Sequence, residues 1–218
     1  ASFLNCKNNA YREEIMIKGL VMSLIKCDYH EMLGYIKQYV AQITSWETCD
    51  IVSFKGLKKY LDEFLNDVEY FIYNENPWIV RFGFNCLMEF YLTDEYIDKV
   101  LSYVNSVNSD FYYVQMMQGW LVATAAAKCR DKTMKFLESN DLNAITQNMA
   151  VRKIRESLRI SKEDKELVLN NSRVLAILLF FIFSVSFLFF GCLPNRDMSP
   201  QDGISAYPVQ RSVVHIQS

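Results

Sequence analysis

Over most of the first 160 residues, apolar side chains recur every three to four positions, and short polar stretches interrupt the recurrence. That spacing gives a 3.6-residue helix one apolar face. It predicts helices over 10–26, 29–43, 46–56, 58–73, 77–91, 94–105, 111–127, 131–138, 141–148 and 150–158. Several starts have a physical cause. Asp28 and Ser45 stand where N-caps belong, Pro77 suits a first helical turn, and the pairs Thr93/Tyr96 and Asp110/Tyr113 mark two further starts. Nowhere in residues 1–160 does strict alternation run long enough for a sheet. The fold class expected is therefore all-α. Successive helix pairs of about 35 to 40 residues predict a stacked solenoid in which each pair buries its apolar face on the next and leaves one curved surface open. No fixed sequence period accompanies it.

Residues 174–193, "VLAILLFFIFSVSFLFFGCL", break this pattern with twenty positions free of charge. As a helix they would cross a hydrocarbon core of roughly 30 Å. Three explanations remain open: a C-terminal membrane anchor, a fused or misread second frame, and a buried core helix. All-round apolarity argues against the last. Arg173 ahead of a run ending in Gly191-Cys192 also resembles the start of a bacterial lipoprotein, a signal that belongs at an N-terminus and so favours a fusion here. Residues 194–218 read as a flexible tail. The division expected is a helical domain over 1–170 and a separate apolar helix with tail over 171–218.

Composition supports a sizeable core: 51% of residues are hydrophobic and 14% aromatic, with seven Gly and four Pro as potential breakers. The chain opens without Met, which suggests that the natural N-terminus is missing. Its six Cys form no CxxC and it has only two His, so neither a metal nor a cofactor is expected, and scattered thiols fit a reducing, cytoplasmic setting. The charge balance is less simple. Residues 1–172 hold 20 Lys and Arg against 23 Asp and Glu, which is not the strong basic excess of a typical duplex binder. The stretch 128–159 nevertheless carries eight basic residues, among them Lys128, Arg130, Lys132, Arg152, Lys153 and Arg155, against four acidic ones. It is either a solvated helix face or a local nucleic-acid patch.

Three places could carry chemistry. In "SWETCD", Trp46 and Asp50 lie four residues apart, so an indole and a carboxylate share one helical face with Cβ atoms roughly 5–6 Å apart. In "NENPWIVRFGFNCLMEFYL", Arg81 stands on a mainly apolar first turn, and in "DFYYVQMMQGWLVATAAAK", Trp120 follows Gly119. Singly, each also reads as an ordinary structural residue, the tryptophans as core and the arginine as a satisfied partner.

Together and in order, they resemble the AlkD-like DNA alkylation repair glycosylases, a family of HEAT-like helical repeats, in its compact bacterial branch. The likeness covers about residues 11–168 and is carried by "YREEIMIKGLVMSLIKCD", "ITSWETCD", "NPWIVRFGFNCLMEFYLTDEYIDKVL" and "YYVQMMQGWLVATAAAKC". In that family a W-x-x-x-D pair, an Arg in a W-x-x-R segment and a Trp in a G-W segment line a concave DNA cleft. These fall on Trp46, Asp50, Arg81 and Trp120. The resemblance implies a hydrolase of base excision repair that removes cationic N3- and N7-alkylpurines from duplex DNA as a monomer, without flipping the base. Asp50, Trp46 and Trp120 would be its catalytic residues. Arg81 would hold a backbone phosphate, with Lys128, Arg130, Lys132, Arg152, Lys153 and Arg155 as further DNA contacts. After Trp120 the family often has a basic L-R pattern where this chain reads "WLVATAAAK", which suggests one lost phosphate contact. The competing expectation is an inactive helical module that binds DNA structures or a protein partner; a membrane would be involved only through residues 174–193.

Overall fold

In a computed structural model that describes residues 11–171, the chain folds into ten α-helices and two 3-10 turns, with no strand among the described residues. They are α1 (Arg12–Leu24), α2 (Tyr29–Val40), α3 (Trp46–Asp50), α4 (Leu61–Ile72), α5 (Pro77–Phe90), α6 (Ile97–Ser106), α7 (Tyr112–Lys128), α8 (Arg130–Glu138), α9 (Ala144–Glu156) and α10 (Lys162–Leu167). The turns cover Lys55–Lys59 and Val168–Asn171. The expected apolar helix 174–193 and its tail lie outside the described residues. Within them, no helix is long and apolar enough to cross a membrane.

The helices stack as two layers. In one, α1, α3, α5, α7 and α9 follow each other side by side. In the other, α2, α4, α6, α8 and α10 are joined by polar side chains spaced by one helix pair. Tyr29 donates to Asp67 (2.5 Å), Tyr96 to Asp62 (2.7 Å), Tyr103 to Glu69 (3.1 Å) and Lys132 to Asp98 (2.6 Å), each across 34 or 38 residues. The first layer has the same spacing: Arg12 reaches Glu47 across 35 residues and Ser53 reaches Glu89 across 36. The period missing from the residue types is thus present in the bonds. Each pair leans on the next, as in a stacked helical array.

Between the layers lies one continuous core. α5 buries nine of its fourteen residues and α7 ten of seventeen, because both are covered on two sides. Two glycines allow close approach. A Cβ on Gly83 would stand 2.9 Å from Ile72 Cγ2 and Phe71 Cβ, and one on Gly119 would stand 3.0 Å from Met149 Cβ and 3.1 Å from the Ala150 nitrogen. The α4–α5 and α7–α9 seams are therefore set by the absence of a methyl group.

Four boundary expectations are corrected. The helix expected over 46–56 stops at Asp50, since Val52, Phe54 and Leu57 are all buried at a spacing that no helical face provides. The two helices expected over 141–148 and 150–158 are the single α9. Asn143 caps it by accepting from the Thr146 amide (2.8 Å), and its buried residues 146, 147, 150, 151 and 154 form one face. Asp110 does not cap α7; Phe111 holds the cap position, and Ser109 Oγ accepts the Phe111 amide (3.2 Å). Tyr96 rather than Thr93 occupies the cap of α6, with the Thr93 carbonyl accepting from Ile97. At Asp28, Ser45 and Pro77 the helix starts are as the sequence predicts, and Asn76 caps α5 by accepting from the Trp78 amide.

Candidate functional site

An open cleft of about 550 Å³ runs across the first layer, lined from α3 by Trp46 and Asp50, from α5 by Arg81, from α7 by Tyr112, Tyr113, Met116 and Trp120, and from α9 by Lys153. Four consecutive helices of one layer thus contribute to one concavity.

α3 has five residues and would not hold as a helix alone. It is tied at both ends. Ser45 Oγ accepts from the Thr48 amide, and Thr48 Oγ1 accepts from the Ser45 amide, which satisfies two N-terminal donors. At the other end the buried Tyr39 hydroxyl donates to the Thr48 carbonyl. Burial pushes the Tyr39 phenol up, so it stays a proton donor. Cys49 is fully buried behind the cleft, facing the Trp78 carbonyl at 3.9 Å, and burial with the neighbouring Asp50 keeps its thiol protonated. With Cys49 turned inward, Trp46 and Asp50, one turn apart, both face the cleft.

Asp50 is held by Arg81. Nε donates to Oδ1 at 3.0 Å and Nη2 to Oδ2 at 2.5 Å, while Nη1 donates to the Tyr113 carbonyl at 2.6 Å. The guanidinium side chain is 4% exposed and the carboxylate 18%. This differs from the expectation that Arg81 anchors a phosphate. Its donors are aimed into the α3–α5–α7 junction, and it is buried because the first turn of α5 is covered by α7. What it does instead is fix the carboxylate plane while leaving one edge of Asp50 towards the cleft.

The aromatic wall comes from α7. Tyr112, Met116 and Trp120 recur every four residues and form one stripe; Tyr112 and Trp120 are 50% and 42% exposed, and Trp46 across the cleft is 47% exposed. Trp78 braces the start of this wall, its ring 5.1 Å from Tyr113 and 5.2 Å from Phe111. Neither Tyr112 nor Met116 is singled out by the sequence reading, although their spacing from Trp120 within a predicted helix is a legible signal.

The basic residues divide. Lys153 borders the cleft, paired with Glu156 at 2.8 Å, and Arg152 lies 3.7 Å from the same carboxylate. Arg130 and Lys132 serve the outer layer: Arg130 grips Asp164 through Nε (2.8 Å) and Nη2 (2.5 Å), and Lys132 binds Asp98. The Arg130 contact holds the Asp164 carboxyl below its usual value. Lys128 and Arg155 are exposed, with no ion pair among the described residues. Nor do the described residues bring together any three His, Cys, Asp or Glu side chains that could hold a metal ion.

The site is thus a carboxylate held by an arginine in an open, largely apolar cleft that two half-exposed tryptophans also line. Neither the curated proteins nor the solved structures offered a match to this chain. A family model described as DNA alkylation repair enzyme matches residues 3–159. With that match spanning helices α1 to α9 and the cleft, the chain belongs to the DNA alkylation repair enzyme family.

Proposed function

We propose that the protein is a DNA glycosylase that releases N3- and N7-alkylated purines from duplex DNA by hydrolysing the N-glycosidic bond. One observation carries the reading: a carboxylate held in one plane by Arg81 opens on the same cleft as two half-exposed tryptophans. An N3- or N7-alkylated purine is positively charged, so its glycosidic bond is already weakened. As the bond breaks, positive charge moves to the sugar. Asp50 stabilises that oxocarbenium-like state and orients the attacking water, which adds to C1′ as the neutral base leaves with the bonding electrons; the water's second proton passes to solvent. Trp46 and Trp120 offer π faces to the cationic base and apolar contact to the deoxyribose. The cleft is an open furrow and not a deep pocket, which suits a lesion handled within the duplex without extrusion. Arg81 acts through Asp50 as a positioning residue. The domain responsible is residues 1–170, working as a cytoplasmic monomer.

The test is base release from duplexes carrying N7-methylguanine or N3-methyladenine. Release by the protein, absent in Asp50→Asn, is expected. Equal release by both proteins, or none by either, sinks the proposal.

A second reading is a helical module that binds DNA structures or a protein partner without catalysis. The formal net charge of −2 favours it, since a duplex binder is ordinarily basic. It predicts no base release under any condition, and for a pure protein scaffold no fall of DNA affinity with salt.

A further inference from the structure

The Asp50–Arg81 pair cancels its own charge, so the cleft is left with Lys153 as its one remaining cation among the described residues. A substrate strand brings one phosphate per nucleotide, and something must hold it in register. Directly beyond Trp120 lies a second basin of about 340 Å³, which shares Trp120 and Lys153 with the cleft and adds Thr124, Glu156, Ser157 and Arg159. We infer that this basin is a phosphodiester subsite, occupied by the backbone of the DNA strand that lies across the cleft. The inference deepens the glycosylase reading and rests on it for the identity of the strand.

The seam between α7 and α9 explains the placement. Gly119 abuts Met149, and Lys153 follows Met149 by one helical turn, so Lys153 stands beside Trp120 at the border of both hollows. Trp120 is then a partition, with the base-facing cleft on one side and the basin on the other. Residues 152–159 carry four cations and a single anion, Glu156, which outweighs the carbonyl end of α9. The anion already present is weakly held. The Lys153–Glu156 pair has side chains 32% and 53% exposed, and a contact so open to water is readily exchanged for a phosphate. Arg159 is exposed, and its backbone is fixed by its own amide donating to Ser157 Oγ at 3.2 Å. That geometry leaves the Ser157 hydroxyl proton available to an acceptor. Glu156 is thus a counter-ion that DNA displaces, and it tempers non-specific affinity.

The experiment measures binding of the whole protein to an unmodified fluorescent duplex over a salt series. Arg159→Ala and Lys153→Ala are each expected to reduce the slope of log K against log [salt] by about 0.9, the loss of one phosphate contact. Glu156→Gln is expected to bind more tightly than the parent. Lys58→Ala, an exposed cation on the 3-10 turn before α4, is expected to keep the parental slope. An unchanged slope in Arg159→Ala, an equal fall in Lys58→Ala, or no duplex binding by the parent overturns the subsite. The glycosylase reading fails separately: altered slopes without base release from alkylated duplex leave the subsite standing and remove the enzyme.

Discussion

Arg81 meets Asp50 edge to edge across 31 residues of sequence, with two parallel hydrogen bonds of 3.0 and 2.5 Å and a third donor spent on the Tyr113 carbonyl. A single side chain therefore ties α3, α5 and α7 together at the floor of the cleft. Replacing it with Ala leaves a mostly buried carboxylate without its partner. The expected cost is roughly 3 kcal/mol, at the lower end for a broken buried pair because Asp50 keeps some contact with water. Arg81→Lys keeps the charge but cannot make the two-pronged contact, so its stability should fall between the two. Urea unfolding of the three proteins gives the order; an Arg81→Ala midpoint equal to that of the parent removes the structural role assigned here.

Gly119→Ala should destabilise the protein by about 1–3 kcal/mol, the range for overpacking a close seam. The added methyl would meet Met149 Cβ at 3.0 Å and the Ala150 backbone nitrogen at 3.1 Å, and backbone cannot step aside as a side-chain tip can. Gly34→Ala, whose Cβ meets nothing within 4 Å, is the matched control and should be neutral or slightly stabilising, since Ala favours helix. Thermal melts of both variants make the comparison.

Acid should loosen the C-terminal end of the stack. The Arg130 hydrogen bonds hold the Asp164 carboxyl below its ordinary value, so the folded state binds that proton less readily than the unfolded chain. The contribution is fully present above the unfolded value near pH 4 and is lost as pH falls through the lower folded value. The stability gap between the parent and Asp164→Asn should therefore be constant from pH 5 to 7 and narrow below about pH 4. A gap that stays constant down to pH 2 would contradict the assignment.

Thiol reactivity should separate Cys27 from the rest. Burial raises the thiols of Cys49 and Cys86 well above their ordinary value, and Cys129 is raised and buried too; Cys27 is also raised, by burial and by Glu31 and Asp28, but it is partly exposed, so access is what sets it apart. In a background with Cys6 and Cys192 changed to Ser, a disulfide reagent at pH 8 should modify Cys27 first and reach Cys49 and Cys86 only on unfolding. Mass spectrometry of the labelled peptides reads the order directly.

What the sequence discloses here follows the reach of its local rules. Trp46 and Asp50 sit one turn apart, so their shared face is a matter of helical geometry, and the caps at Asp28 and Ser45 depend on residues three positions away. The stripe of Tyr112, Met116 and Trp120 was legible by the same rule. Arg81 was not. Its partner lies one helix pair upstream and its cover one pair downstream, and no local pattern distinguishes an arginine that faces solvent from one drawn into a junction. The basic cluster shows the same limit, because Arg130 and Lys132 find their acids 34 residues away and become structural, while Lys153 of the same cluster reaches the cleft. Helix 46–56 failed for a further reason: tertiary burial of Val52, Phe54 and Leu57 overrode propensity.

The cleft has walls on four successive helices of one layer, with Trp46 on the first and Lys153 on the last. Its gape is therefore not a local quantity. A small hinge rotation at each of the three seams between α3, α5, α7 and α9 accumulates across the span, so the mouth behaves as the far end of a lever whose fulcrums are the packed interfaces. Because Arg81 clasps α3, α5 and α7 at the floor, any change in the gap between Trp46 and Trp120 must strain that clasp, whereas a wedge at the α7–α9 seam moves Lys153 and leaves the clasp untouched.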